Sequence, residues 1–445
     1  MRSTAIVLKL KALRARFPDL GWPLPSTVVW QRALGDRWLL VSALGLLFMG
    51  WIMVSSASVD VAQARTGDPH YYSIRHGLYV LATLITLVAG SWIPLRLWQR
   101  YSPWALVLGV MLLVVVLLVG REINGSVRWI PLGIINLQAS EVAKLCLVIY
   151  LASYLVRHMN AVRTEFRAFL RPFLLMMGMG LLVILEPDYG ALVVMLSALL
   201  GMMFMAGVRW YYFVGVVVLA IVGMALIAYA EPYRVARMIT FTDPWAEQYG
   251  AGYQLTQSLI AFGRGHWFGL GLGNSVQKLF YLPEAHTDFV FAIVAEELGL
   301  FGALSMLGLF VLLVARIMLV ARRAELRGRL YGAYLCYGIG VIIAVQATIN
   351  IGVNVGALPT KGLTLPLVSY GGSSLLISGL MLGMVMRVAL ETDSYQPKAP
   401  RTQSSSRHAD ARTSSRRRVP PAGSEAPLYR QPTRRASRFT HLGDH

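Results

Sequence analysis

His286 and Asp288 stand where a polar stretch turns apolar, in the run YLPEAHTDFVFAIVAEELG at residues 281–299. An aspartate there can do two kinds of work. Its oxygen can satisfy an orphan N–H as the N-cap of the following helix, where an acid also suits the positive end of the dipole. Alternatively, it can take a proton from a reacting hydroxyl. The neighbourhood favours chemistry: His286 is two residues away, and Arg264 and Lys278 lie in the stretch leading up to it.

Other polar groups interrupt apolar segments elsewhere. Glu141 and Lys144 are three residues apart, hence on one helix face. Ionisable groups in an apolar span are costly, and they pair with one another or line a polar cavity. In EPDYGA, Glu186 and Asp188 flank Pro187; acids and proline suit a first helical turn, and a role in a site stays open. Glu296 and Glu297 fall about two turns inside an apolar segment, so at least one must face protein or water. Arg128 and Trp129 lie in the amphipathic stretch 121–141. Lys361 is the only charge in NIGVNVGALPTKGLTLPLVSYGGSS, residues 350–374; it either snorkels to headgroups or faces an anion.

The elements that position these groups follow from composition. Of 445 residues, 56% are apolar and only 14% charged, well below the roughly 25% charge of soluble domains. A ~30 Å hydrocarbon core takes ~20 residues of helix to cross. Ten spans are expected: 38–58, 74–93, 103–120, 140–157, 171–186, 188–207, 211–230, 289–315, 331–353 and 371–390. The fold class is therefore an all-α polytopic membrane protein. Seven Lys and Arg residues precede the first span, from Arg2 to Arg37, and further clusters include Arg157/Arg163/Arg167/Arg171 and Arg322/Arg323/Arg327/Arg329. Basic loops stay inside, so both termini are expected in the cytoplasm. Three parts follow: a basic N-terminal segment 1–36, a ten-helix body 37–392, and a disordered basic tail 393–445. One long outer loop, 231–288, joins the seventh and eighth spans. It is rich in Trp, Tyr and Phe, so short helices packed along the outer leaflet are expected rather than disorder.

The net charge of +19 is placed by topology and anionic lipid, which argues against nucleic acid as a partner. Cys146 and Cys336 both fall in spans, and neither a disulfide framework nor a metal cluster is implied. The glycines of GLGLGN, 269–274, follow no strand and carry no dinucleotide signal.

Five segments taken together resemble the SEDS polymerases of bacterial cell-wall synthesis: NGSVRWIPLG, EPDYGA, GAGYQLTQSLIAFGRGHWFGLGLGNSVQKLFYLP, YLPEAHTDFVFAIVAEELG and NIGVNVGALPTKGLTLPLVSYGGSS. The likeness spans roughly 36–392, and LPTKGLTLP and GNSVQKLFYLPEAHTDF are nearer to the division branch than to the elongation branch. One departure is Ala139, where the family commonly has proline. The resemblance implies an inverting glycosyltransferase that polymerises lipid II into β-1,4 glycan strands at the outer face of the inner membrane, at the division septum. It places the catalytic carboxylate on Asp288, a functionally important tryptophan on Trp129 and the family's polar pair on Glu141 and Lys144. Substrate-binding roles for Arg128, Asp188, Arg264, His286 and Lys361 follow from their chemistry within these motifs. The implied partners are a class B penicillin-binding transpeptidase and other division membrane proteins. No protein-held metal is expected, and a Mg or Mn ion accompanying the pyrophosphate remains open. The rival readings are a lipid II flippase, an elongation-type polymerase and a scaffold that only recruits the transpeptidase.

Overall fold

The computed structural model describes residues 36–394 apart from 124–125, 132, 134–135, 230–240, 242, 251 and 361. The expected segments 1–36 and 393–445 thus fall almost wholly outside the described residues, as does Lys361.

The chain builds twelve helices among the described residues: α1 (Arg37–Thr66), α2 (Tyr71–Trp92), α3 (Leu95–Arg100), α4 (Ser102–Val119), α5 (Ala139–Thr164), α6 (Phe166–Leu185), α7 (Tyr189–Met205), α8 (Trp210–Tyr229), α9 (Tyr253–Gly265), α10 (Val290–Leu326), α11 (Leu330–Asn354) and α12 (Gly372–Asp393). Each of the ten expected spans lies on a helix. Eight are long and apolar enough to cross a membrane. Of the other two, the sixth lies on the 17-residue α7 (Tyr189–Met205) and the seventh on the 20-residue α8 (Trp210–Tyr229). The protein is a multi-pass membrane protein.

Between α4 and α5 the helical body carries one small three-stranded antiparallel sheet, β1 (Arg121–Ile123), β2 (Ser126–Pro131) and β3 (Asn136–Gln138), with Trp129 of β2 paired to Gln138 of β3. Polar and apolar residues alternate over SVRW, and the two-residue repeat of a strand puts Arg128 and Trp129 on opposite faces. Ala139, where the family commonly has proline, opens α5 fully buried; alanine suits that position through its helix propensity.

Two helix contacts fix the frame around the site. Gly379 and Gly383 on α12 meet the backbone of α2: a Cβ at Gly383 would sit 2.2 Å from the Leu87 carbonyl oxygen. This small-xxx-small spacing lets two backbones approach. Along α10, the helical ladder is broken at Gly299, φ 69°. The freed groups exchange hydrogen bonds with the loop after α9: Leu270 N–H to Glu296 O at 3.0 Å, Gly271 N–H to Glu297 O at 3.0 Å, and Leu300 N–H to His266 O at 3.0 Å. Irregular backbone within a membrane body is tolerated when protein satisfies it in this way. The described part of the 231–288 loop is thereby annealed to α10, and its helix α9 accords with the expected short packed helices.

Candidate active site

Asp288 sits at the end of a tight turn. Its N–H donates to Glu284 O at 3.1 Å, and its own carbonyl accepts from Asn350 Nδ2 at 2.8 Å and Asn354 Nδ2 at 3.0 Å, both on α11. The capping reading fails here. The residue flanking α10 is Phe289, with no side-chain cap, and the Ala292 N–H is satisfied by Asn354 Oδ1 at 3.0 Å. Among the described residues no hydrogen bond reaches the Asp288 carboxylate. The group is half-buried, and a Cβ on Gly362 would come within 3.1 Å of its Oδ2, so the loop before α12 closes one side of it.

This setting changes the acid. Burial, reinforced by the charge of Glu284, pushes the Asp288 carboxyl up to about 7; Arg128 opposes the rise and Asp188 adds to it. An ordinary aspartate near 3.9, as the sequence alone suggests, is therefore not what the fold makes.

Arg128 is the described cation acting on this group. Its Nε donates to Glu186 O at 3.2 Å, and Nη2 donates to Pro187 O. The sheet thus grips the corner between α6 and α7. At that corner Asp188 caps α7, Oδ1 accepting from Ala191 N–H at 3.2 Å, while Oδ2 accepts from Ser140 Oγ at 2.8 Å and Gln138 Nε2 at 3.2 Å. With these acceptors engaged and the residue 1% exposed, Asp188 positions the start of α5 rather than binding substrate. Beside it, both carboxyl oxygens of Glu186 are buried with no hydrogen-bond partner among the described residues. Burial first, then Asp188, push this carboxyl up to about 8, against Arg128.

Glu141 and Lys144 form a buried ion pair of 2.9 Å. Lys144 Nζ also donates to Gln346 Oε1 at 2.7 Å, and Gln346 Nε2 donates to Thr364 O at 3.0 Å. The pair therefore pins α5 to α11 and, through Gln346, to the loop that carries Gly362. Asn350 holds the same loop by donating to Leu363 O at 2.6 Å.

Two expected site residues lie elsewhere. Arg264 pairs with Glu296 at 3.3 Å, eight residues and so ~12 Å along α10 from Asp288. Glu296 also accepts from Ser275 Oγ, Val276 N–H and Gln277 N–H, so its work is to anchor the loop. Its neighbour Glu297 does likewise with Ser56 and Lys278. His286 is buried among Tyr72, His76 and Tyr370, with ring centroids 5.1 Å from Tyr72 and 5.6 Å from Tyr370. Its Nδ1 has no partner among the described residues, and burial lowers its pKa. It packs the turn rather than facing a substrate. Trp129 is half-buried on the other face of β2 from Arg128. Among the described residues no three His, Cys, Asp or Glu side chains converge to hold a metal by themselves; a Mg²⁺ ion carried on substrate phosphates needs only one or two protein carboxylates, and no step below runs through one.

Gln346, Asn350 and Asn354 are not among the expected site residues, although their i, i+4, i+8 spacing puts three amides on one face of an apolar helix.

Residues 37–394 match the family described as Cell cycle protein, FTSW_RODA_SPOVE. The chain belongs to the FtsW/RodA/SpoVE family. Similar members include "Probable peptidoglycan glycosyltransferase FtsW" of Halomonas elongata, 57% identical over 82% of this chain and 94% of that one. The protein of the same name from Coxiella burnetii is 50% identical over 83% and 99%. Among solved structures, a chain from a peptidoglycan synthase complex that coordinates polymerization and crosslinking superposes with a TM-score of 0.66 at 27% identity, over 81% of this chain and 99% of its own. The rod shape determining protein RodA of Thermus thermophilus gives a TM-score of 0.60 at 26% identity, over 81% and 98%. Within the FtsW/RodA/SpoVE family the sequence is thus far nearer to proteins bearing the FtsW name than to the solved RodA chain.

Proposed function

We propose that this chain is a division-type peptidoglycan glycosyltransferase that polymerises lipid II at the outer face of the bacterial inner membrane, with Asp288 as general base. The names of the relatives at 50–57% identity support the activity. The observation that carries the base assignment is the Asp288 carboxylate, which caps no helix and is raised to about 7, on a residue whose backbone carbonyl is held by Asn350 and Asn354. A base is most effective when its pKa lies near the working pH.

In the proposed reaction the 4-hydroxyl of an acceptor GlcNAc gives its proton to Asp288 as its oxygen bonds the donor's anomeric carbon. The bond from that carbon to the pyrophosphate breaks with its electrons on the leaving oxygen, and attack from the opposite face converts an α to a β linkage. Negative charge develops on the pyrophosphate, where a fixed cation has the greatest effect. Arg128 is the described guanidinium in this neighbourhood, and the sequence adds Lys361. Glu186, largely uncharged at neutral pH by burial, adds little repulsion there. Trp129 is proposed to position a sugar.

The basic segments 1–36 and 393–445 lie in the cytoplasm in this reading, following the bias of Lys and Arg. A class B penicillin-binding transpeptidase and other septal membrane proteins are the partners; the superposition on a synthase complex supports such an assembly.

The test is polymerisation of lipid II by the purified chain. Asp288→Asn is expected to lower the rate by ~10²–10⁴ without loss of folded protein, and full polymer yield would remove the base assignment. Lipid II confined to the outer leaflet of liposomes is expected to be polymerised, whereas a flippase would leave it unchanged.

A further inference from the structure

A cavity of about 350 Å³ opens between α4, α5 and α6, lined by Pro103, Tyr150, Tyr154, Arg157, His158 and Arg171 among others. It lies at the end of the bundle remote from Asp288. Arg157 is 18 residues, ~27 Å, along α5 from the end that meets Asp188, and Arg171 is near the opposite end of α6 from Glu186.

We propose that this cavity holds the phosphate headgroup of an anionic phospholipid from the cytoplasmic leaflet. Its size falls within the range of small-ligand pockets. Both guanidinium groups are solvent-accessible, and neither forms an ion pair with a described carboxylate. Arginines at the same end of the bundle differ: Arg316, Arg327, Arg329 and Arg387 each meet an Asp or Glu. Arg157 spends only Nε on the protein, at 3.2 Å from Ser153 O, which leaves its terminal donors for a bidentate contact with phosphate.

The cavity wall is preorganised. Tyr150, Tyr154 and His158 recur at i, i+4 and i+8 on α5, with stacked rings at 6.2 and 4.5 Å. Tyr154 is fixed by donating to Ala168 O at 2.8 Å, and His158 Nδ1 lies 3.2 Å from Tyr154 O. The Tyr150 hydroxyl has no hydrogen bond to a described residue and remains a donor for the ligand.

A lipid rather than a soluble phosphate is indicated by what flanks the opening. Trp104, Val107 and Met111 on α4, and Leu174, Met177 and Leu181 on α6, are exposed apolar side chains running away from the cavity along both helices, a surface suited to acyl chains. Basic pockets between helices on this side of a bilayer take anionic headgroups for the same reasons.

The full-length chain, delipidated in neutral detergent, would be titrated with phosphatidylglycerol, phosphatidylcholine or inorganic phosphate, and bound lipid read by native mass spectrometry. Wild type is expected to take phosphatidylglycerol in preference to phosphatidylcholine. Arg157→Gln/Arg171→Gln should bind it about 30-fold more weakly, from about fivefold per arginine near an anionic surface. Arg167→Gln, an exposed cation in the first turn of α6 outside the cavity lining, should stay within about twofold, and Arg157→Lys/Arg171→Lys, which keeps both charges without the planar fork, should bind more tightly than the Gln pair, which guards against misfolding of that pair. Equal uptake of the two lipids, an equal loss with Arg167→Gln, or displacement of phosphatidylglycerol by millimolar phosphate would overturn the assignment.

Discussion

Asn354 and Asp288 divide one helix start between them. Asn354 reaches across from α11, donates to the Asp288 carbonyl at 3.0 Å and accepts from the Ala292 N–H at 3.0 Å, so the aspartate two residues before α10 is spared the capping that its position invites.

Separating the two halves of this contact tests it. Asn354→Asp keeps an acceptor for Ala292 but loses the donor to Asp288, and it adds a buried charge. Asn354→Leu loses both. Loss of a cap costs about 1–2 kcal/mol, so Asn354→Leu is expected to melt lower. Both variants should polymerise lipid II more slowly at matched folded fraction, since each leaves the Asp288 carbonyl held by Asn350 alone. Thermal unfolding alongside single-turnover rates measures the pair.

The pH dependence follows from the raised carboxyl. A base at about 7 predicts that kcat/KM falls as pH drops through about 7, whereas an ordinary aspartate would hold activity down to about pH 4. Stability runs the other way: the folded state binds this proton more tightly than the unfolded chain, so this group's contribution declines as pH rises from about 4 through about 7. Asp288→Asn is therefore expected to melt above wild type at pH 8, with the gap closing toward pH 5.

Lys144 and Glu141 should behave as a buried pair. Lys144→Met strands Glu141 and is expected to cost about 3–5 kcal/mol; Glu141→Gln/Lys144→Met should recover much of it. Activity should recover less than stability, because Gln346 loses the ammonium that helps orient it toward Thr364.

Arg128 and Arg264 separate site from scaffold. Arg264→Gln removes a partly exposed pair, worth about 0–1 kcal/mol, and Glu296 keeps three other donors; polymerisation should change less than about threefold. Arg128→Gln removes the cation beside Asp288 and the clamp on Glu186 and Pro187, and should lower the rate by at least tenfold. Comparable rates for the two variants would contradict the placement.

Much of this protein was legible in one dimension because a bilayer imposes a one-dimensional rule: apolar runs of sufficient length become helices, and all ten expected spans lie on helices. The Glu141–Lys144 pair was equally legible, since i, i+3 spacing fixes a shared face whatever the neighbours are. The sheet at 121–138 was not, because short strands show a weaker period than a spanning helix and depend on partners across a turn. Arg264 and His286 precede Asp288 in the same stretch of sequence, yet the annealed loop carries one to Glu296 and the aromatic cluster takes the other.

By itself, then, the sequence determined the spans, the charge bias and the presence of an aspartate before α10. Only tertiary structure decided what that aspartate is free to do. Whether a carboxylate caps, pairs or stays available depends on which donors reach it; here no described donor does, the cap it could supply comes instead from α11, and the cation acting on it comes from β2, tens of residues or more away along the chain. Burial, which moves its pKa, is likewise set by loops that close over it in space and by no property of its immediate neighbours.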